Sequence, residues 1–122
     1  RREEQLPVYE RLGDVRSRAV TMGKIADILQ GRGETDEALR IRREEELPVY
    51  ERLGDVRSRA VTMGRIAEII AEKGQIDEAL SLLNESAAAF EKLQMTDQLA
   101  KVRELQKKFR ENSSPDTGPF NS

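Results

Sequence analysis

The apolar positions of this chain fall at helical spacing. Val15, Ala19, Met22, Ala26 and Leu29 follow one another at intervals of four, three, four and three, and Ile25 and Ile28 widen the stripe. Such spacing gathers them on one helix face, with Arg16, Ser17, Thr21, Lys24 and Asp27 on the other side. The pattern predicts a helix over 14–31, closed by Gly31-Arg32-Gly33, because two glycines so close together mark a turn. A second helix is expected from Thr35-Asp36, with Asp36 and Glu37 in the first turn, where the helix dipole favours acids. It runs through Ala38, Leu39 and Ile41, crosses a charged Arg/Glu run, and continues past Leu47, Pro48, Val49, Tyr50 and Leu53. Gly54-Asp55 should stop it. Glycine suits the residue just past a helix end, and aspartate suits the cap of the next helix.

The pattern then recurs. Val56, Ala60, Met63, Ala67 and Ile70 predict a helix over 55–73, and Gly74-Gln75 is the turn. Ala79, Leu80, Leu82, Leu83, Ala87 and Phe90 predict its partner over 76–93. Leu99, Val102, Leu105 and Phe109 predict a last helix over 96–111, a closing cap whose Lys101, Arg103, Lys107 and Lys108 face solvent. Residues 1–12 read as the end of one more such helix before a break at Gly13-Asp14. Residues 112–122 are rich in Ser, Pro and Gly and are expected to form a disordered tail.

This periodicity rests on a true duplication. Residues 6–23 and 47–64 carry the same 18 letters, LPVYERLGDVRSRAVTMG. At that offset of 41, residues 1–41 match 42–82 at 30 of 41 positions by direct count. Beyond it the offset falls to 40, pairing Leu53 with Leu93 and Ala60 with Ala100. The organisation is therefore a partial repeat 1–13, a repeat 14–54, a repeat 55–94, the capping helix 96–111 and the tail 112–122. A chain that opens in mid-repeat is expected to be a piece of a longer array. The extra residue and Pro48 lie in the same helix. An interior proline costs about 3 kcal/mol and kinks a helix, and an added residue is absorbed as a wide turn. We therefore expect the helix containing Pro48 to be bent or to carry a wide turn, and residues 76–93 to be straighter.

Composition narrows the chemistry. Charged residues make up 36% of the chain and apolar ones 37%, so the polar faces are solvated helix surface rather than disorder. The net charge of −2 offers no phosphate-binding surface, and with aromatics at 4% there is no stacking platform, so nucleic acid is not an expected partner. No apolar run reaches the roughly 20 residues of a membrane span, and no membrane partner is expected. The absence of Cys excludes disulfides and thiolate metal sites and favours a reducing compartment, so the expected location is cytoplasmic. The absence of His leaves Ser17 and Ser58 without the usual activating base. Gly31-Arg32-Gly33-Glu34 lacks the Lys-Ser/Thr of a phosphate loop and joins two helices. Arg40, Arg42 and Arg43 stand three or four residues from Glu44 and Glu46, which implies local surface ion pairs. Tyr9 and Tyr50 should pack near helix ends with their hydroxyls at the surface. Catalytic residues, a metal site and a cofactor are therefore not expected.

Paired helices with a Gly turn followed by D-E-A-L resemble the tetratricopeptide repeat (TPR). The matching residues are Gly33, Asp36, Ala38 and Leu39, and then Gly74, Asp77, Ala79 and Leu80. Ala26 and Ala67 stand where that family usually has Gly, and Leu29 and Ile70 where it usually has Tyr. Glu45 or Glu46 stands where a small residue normally packs. The L-G-D connector, at 12–14 and 53–55, is similar to a longer form of the repeat found in bacterial signalling proteins. The resemblance implies an all-α fold, with antiparallel helix-turn-helix repeats stacked as a short right-handed solenoid. It also implies a non-catalytic scaffold that binds a protein or peptide on its concave face. Carried over by position, the ligand-facing residues are Lys24, Asp27 and Gln30 in one repeat and Arg65, Glu68 and Glu72 in the next. Their mixed signs suit a polar or charged peptide. A second reading is a structural spacer or self-assembling element. In that case the unpaired N-terminal half-repeat, through Leu6, Val8, Tyr9 and Leu12, docks on another copy as a homo-oligomer.

Overall fold

Four helix ends in this chain close in the same way, and they set its architecture. The computed structural model describes the backbone of residues 2–112 and the side chains of residues 11–112. The tail from residue 113 onward, and the side chains of Leu6, Val8 and Tyr9, lie outside the described residues. Among the described residues there are helices and no strand. The chain divides into two units, residues 1–55 and 56–122.

The four ends are at Gly33, Gly54, Gly74 and Gln94, with φ of 83, 69, 90 and 58°. At each, the next residue's N–H reaches back five positions: Glu34 to Leu29 O, Asp55 to Tyr50 O, Gln75 to Ile70 O and Met95 to Phe90 O, all at 2.8–2.9 Å. This is the Schellman closure, and it needs a left-handed residue at its centre. Glycine supplies it freely in three cases, while Gln94 adopts it against its own steric preference.

In the first unit, α1 spans Arg2–Gly31 and α2 spans Thr35–Ile41. A π-helical turn, Arg42–Glu46, follows α2 without a break and leads into α3, Leu47–Leu53. The returning run lies antiparallel to α1, since Asp27 meets Arg42, Gly23 meets Glu46 and Arg16 meets Asp55. Ala19 and Ala26 of α1 are buried with Ala38, Ile41 and Tyr50.

In the second unit, α4 spans Val56–Glu72, α5 spans Ile76–Lys92 and α6 spans Thr96–Asn112. The three-residue connections force antiparallel neighbours, with α5 packed between α4 and α6. Ala60, Met63, Ala67 and Ile70 of α4 are buried, as are Ala79, Leu83, Ala87 and Phe90 of α5 and Val102 and Phe109 of α6. Small residues at 60, 67, 79 and 87 let the helices approach closely, and the larger side chains fill the remaining space.

Three expectations need correction. The break expected at Gly13-Asp14 is absent: α1 runs straight through it. The identical Leu-Gly-Asp at 53–55 does stop its helix, so the motif permits a stop without imposing one. A glycine in a helix costs only about 1 kcal/mol, and tertiary packing chooses between the two outcomes. Ile25 and Ile28 do not belong to the core. They are 39% and 60% exposed, whereas their counterparts Ile66 and Ile69 are 2% and 0% exposed. Tyr50 is buried rather than surface-facing, because its counterpart position, Phe90, is a core site in both repeats. Burial pushes its phenol above the ordinary value of 10.0, with Glu46 and Asp55 adding to the shift and Arg16 opposing it.

The expected irregularity is present. The turn at 42–46 is closed by the Leu47 N–H on Arg42 O, an i→i+5 bond, immediately before Pro48. Over the corresponding length α5 is uninterrupted α-helix.

Candidate functional site

The π turn carries the least expected feature of the first unit. Arg42 is 1% exposed and Glu46 is 6% exposed. Arg42 Nη1 donates to Glu46 Oε1 at 3.0 Å, and Nη2 pairs with Asp27. Arg42 Nε–H finds no acceptor. Spacing along the chain places these charges at the surface. The pairing at four residues' separation is as expected, but its location is not. The cause is Gly23. With no side chain there, the Glu46 carboxylate lies over the α1 backbone, and a Cβ at Gly23 would stand 2.9 Å from Glu46 Cδ. The other charges of the run stay at the surface. Arg40 bridges Glu37 at 2.7 Å and Glu44 at 3.3 Å, and Arg18 reaches Glu45 at 2.9 Å. The bonds from Arg40 hold the Glu37 carboxyl below its usual range.

The second unit fills the corresponding space in another way. Ser86, the counterpart of Glu46, is fully buried and donates its hydroxyl to Ala60 O at 2.9 Å. Leu83, fully buried, stands where the first repeat has Arg42. Because serine is short, the space above Gly64 stays open. There α4 and α6 flank a groove of about 660 Å³. Its floor is Ala60, Ser86, Phe90 and Val102. One wall is Val61, Gly64, Arg65 and Glu68 of α4, and the other is Gln98, Lys101, Glu104, Leu105 and Lys108 of α6. Both walls follow the three-and-four spacing of a single helix face. Polar groups of both signs thus stand over an apolar floor. Gln106, on another face of α6, donates to Asn84 at 2.7 Å and ties α6 to α5.

Of the six residues carried over as ligand-facing, Arg65 and Glu68 line this groove, and Glu72, exposed, does not. Lys24 and Asp27 are exposed on α1 and Gln30 is half-buried. Asp27 is also the surface partner of buried Arg42. Leu12 is 49% exposed. Sequence reasoning missed the α6 wall, because α6 read as a cap with a solvated outer side. The signal was present in the spacing of Gln98, Lys101, Leu105 and Lys108. Among the described residues no three acidic side chains cluster as a metal site, and no helix is long and apolar enough to cross a membrane. Comparison of the chain with protein-family models, curated proteins and solved structures returned no match.

Proposed function

We propose that this chain is a TPR-like repeat scaffold that binds a polar peptide of mixed charge along the groove between α4 and α6. The observation that carries the reading is the groove itself. Ser86 and Phe90 form an apolar, internally satisfied floor, and Arg65, Lys101 and Lys108 stand above it with Glu68 and Glu104. An extended peptide laid there finds alternating donors and acceptors for its charges and a shallow apolar strip for small side chains. The D-E-A-L hairpins support assigning the architecture to that repeat class. The test is a titration of the isotope-labelled chain with synthetic peptides of alternating acidic, basic and small residues. Binding should shift the amide signals of Val61, Gly64 and Leu105, weaken with salt, and fall at least tenfold on Lys101→Glu/Lys108→Glu reversal. Peptides that bind without moving those signals, or with affinity untouched by the reversal, would remove the reading.

A further inference from the structure

A space over a helix glycine occurs twice in this chain, filled once and open once. Gly23 and Gly64 hold the same place in the duplicated stretch, each after Thr-Met. In the first unit the chain fills the space itself. The Glu46 carboxylate lies so close to the α1 backbone that a Cβ at Gly23 would stand 2.9 Å from its Cδ. Glu46 is only 6% exposed there, and Arg42 Nη1 donates to its Oε1 at 3.0 Å. In the second unit a Cβ at Gly64 would meet nothing closer than Ser86 Oγ at 4.0 Å. Gly64 is also part of the groove wall, so its open side faces the groove.

The geometry that accepts a carboxylate is thus present in both units, but only the first supplies one. A carboxylate entering the second unit from outside needs a cation, and Leu83 stands where the first unit has Arg42. The floor does not provide a donor, because the Ser86 hydroxyl already donates to Ala60 O at 2.9 Å. The walls do. Arg65 follows Gly64 on α4, and α6 adds Lys101 and Lys108, against the acids Glu68 and Glu104. Cations therefore prevail in the groove of a chain whose net charge is −2, and over an apolar floor they hold an anion more firmly than they would in open water.

We propose that the recess over Gly64 is a subsite for a glutamate side chain of the bound peptide, which takes the place that Glu46 takes over Gly23. This rests on the peptide-binding reading of the groove and adds the side chain that the peptide must present. Gly64 sets the specificity, because the missing Cβ is what admits the carboxylate. The first unit is the same recess occupied by the chain's own glutamate.

The experiment titrates the 122-residue chain and its Gly64→Ala variant with synthetic mixed-charge peptides that carry a single glutamate, and with matched peptides that carry glutamine instead. Calorimetry gives the affinities, and amide spectra locate the binding. The wild-type chain should prefer the glutamate peptide by about tenfold or more. Gly64→Ala places a Cβ where the carboxylate goes, so it should lose that preference and bind both peptides as wild type binds the glutamine one. Circular dichroism and urea melts should show this variant folded and no less stable than wild type. Peptides that move the Val61 and Leu105 signals but show no glutamate preference on wild type, or keep it on Gly64→Ala, overturn the subsite and leave the groove reading standing. Peptides that move neither signal overturn both.

Discussion

Two glycines in the same local sequence, Thr-Met-Gly, should respond to alanine with opposite signs. Gly64 and Gly23 both lie inside helices, where alanine is favoured over glycine by about 1 kcal/mol. A Cβ at Gly64 meets nothing closer than Ser86 Oγ at 4.0 Å, an ordinary contact. Gly64→Ala should therefore stabilise the second unit by about 0.5–1 kcal/mol. A Cβ at Gly23 would lie 2.9 Å from Glu46 Cδ and 3.3 Å from its Oε1. Glu46 cannot simply turn away, because it is buried and its carboxylate holds Arg42. Overpacking of this kind costs about 1–3 kcal/mol, so Gly23→Ala should destabilise by about 1–2 kcal/mol after the helix gain is subtracted. The assay is urea unfolding followed by circular dichroism, comparing midpoints at constant m. The cycle with Glu46→Ser adds a second constraint. With a serine at 46, as at 86, the penalty at Gly23 should vanish, giving a coupling of about 2 kcal/mol. If Gly23→Ala stabilises as Gly64→Ala does, Glu46 does not sit over Gly23 and the account of the buried pair fails.

The buried pair itself should behave asymmetrically. Glu46→Ala strands Arg42 with Asp27 alone and should cost about 3 kcal/mol, whereas Arg42→Leu/Glu46→Ser, which restores the chemistry of Leu83 and Ser86, should come within about 1 kcal/mol of wild type in urea melts. Deleting Glu44, an exposed residue of the π turn, should let the helix run as plain α with its faces kept, and thermal melts should show little loss. Deleting Glu85 from α5 rotates Ser86, Ala87 and Phe90 off the core, and displacing Phe90 alone should cost about 3–5 kcal/mol. The raised phenol of Tyr50 implies stability that is complete below pH 10 and is lost as pH climbs through the folded value, since the unfolded chain releases that proton first. Urea midpoints between pH 8 and 11 should fall for wild type and fall less for Tyr50→Phe.

The paired helices were legible because their evidence is local and repeated. Gly33, Gly54 and Gly74 each stand just past a stretch of helically spaced apolar residues, and each closes its helix. The π turn was legible for a different reason, the comparison of offsets. One repeat is 41 residues long and the next is 40, and Pro48 points to where the surplus sits. What escaped was decided by neighbours. Gly13 and Gly54 share their local sequence, yet one stays helical and the other turns. Ile28 and Ile69 hold the same place in the duplicated pattern, yet one is 60% exposed and the other fully buried. Local pattern is a weak guide wherever tertiary packing contributes more free energy than helix propensity does. The α6 wall of the groove escaped because lysines on a terminal helix look the same in sequence whether they face a groove or open solvent.

The buried arginine links the two irregularities of the first repeat. Glu46 and Ser86 occupy the same place over a glycine of the first helix, and Arg42 and Leu83 occupy the same place in the core. In α5, Leu83 and Ser86 are three apart; in the π-containing run, Arg42 and Glu46 are four apart. The added residue therefore falls between the two partners. A turn closed by an i→i+5 bond is wider than an α turn, and it brings residues four apart nearly one above the other. Arg42 and Glu46 thereby share one inward direction, and Nη1 meets Oε1 at 3.0 Å within the core. A plain α-helix of 40-residue register would place an apolar residue and a serine there, as α5 does. The insertion, the proline next to it and the buried ion pair are thus one structural solution. The open groove over Gly64 and the filled space over Gly23 follow from whether a repeat adopts it.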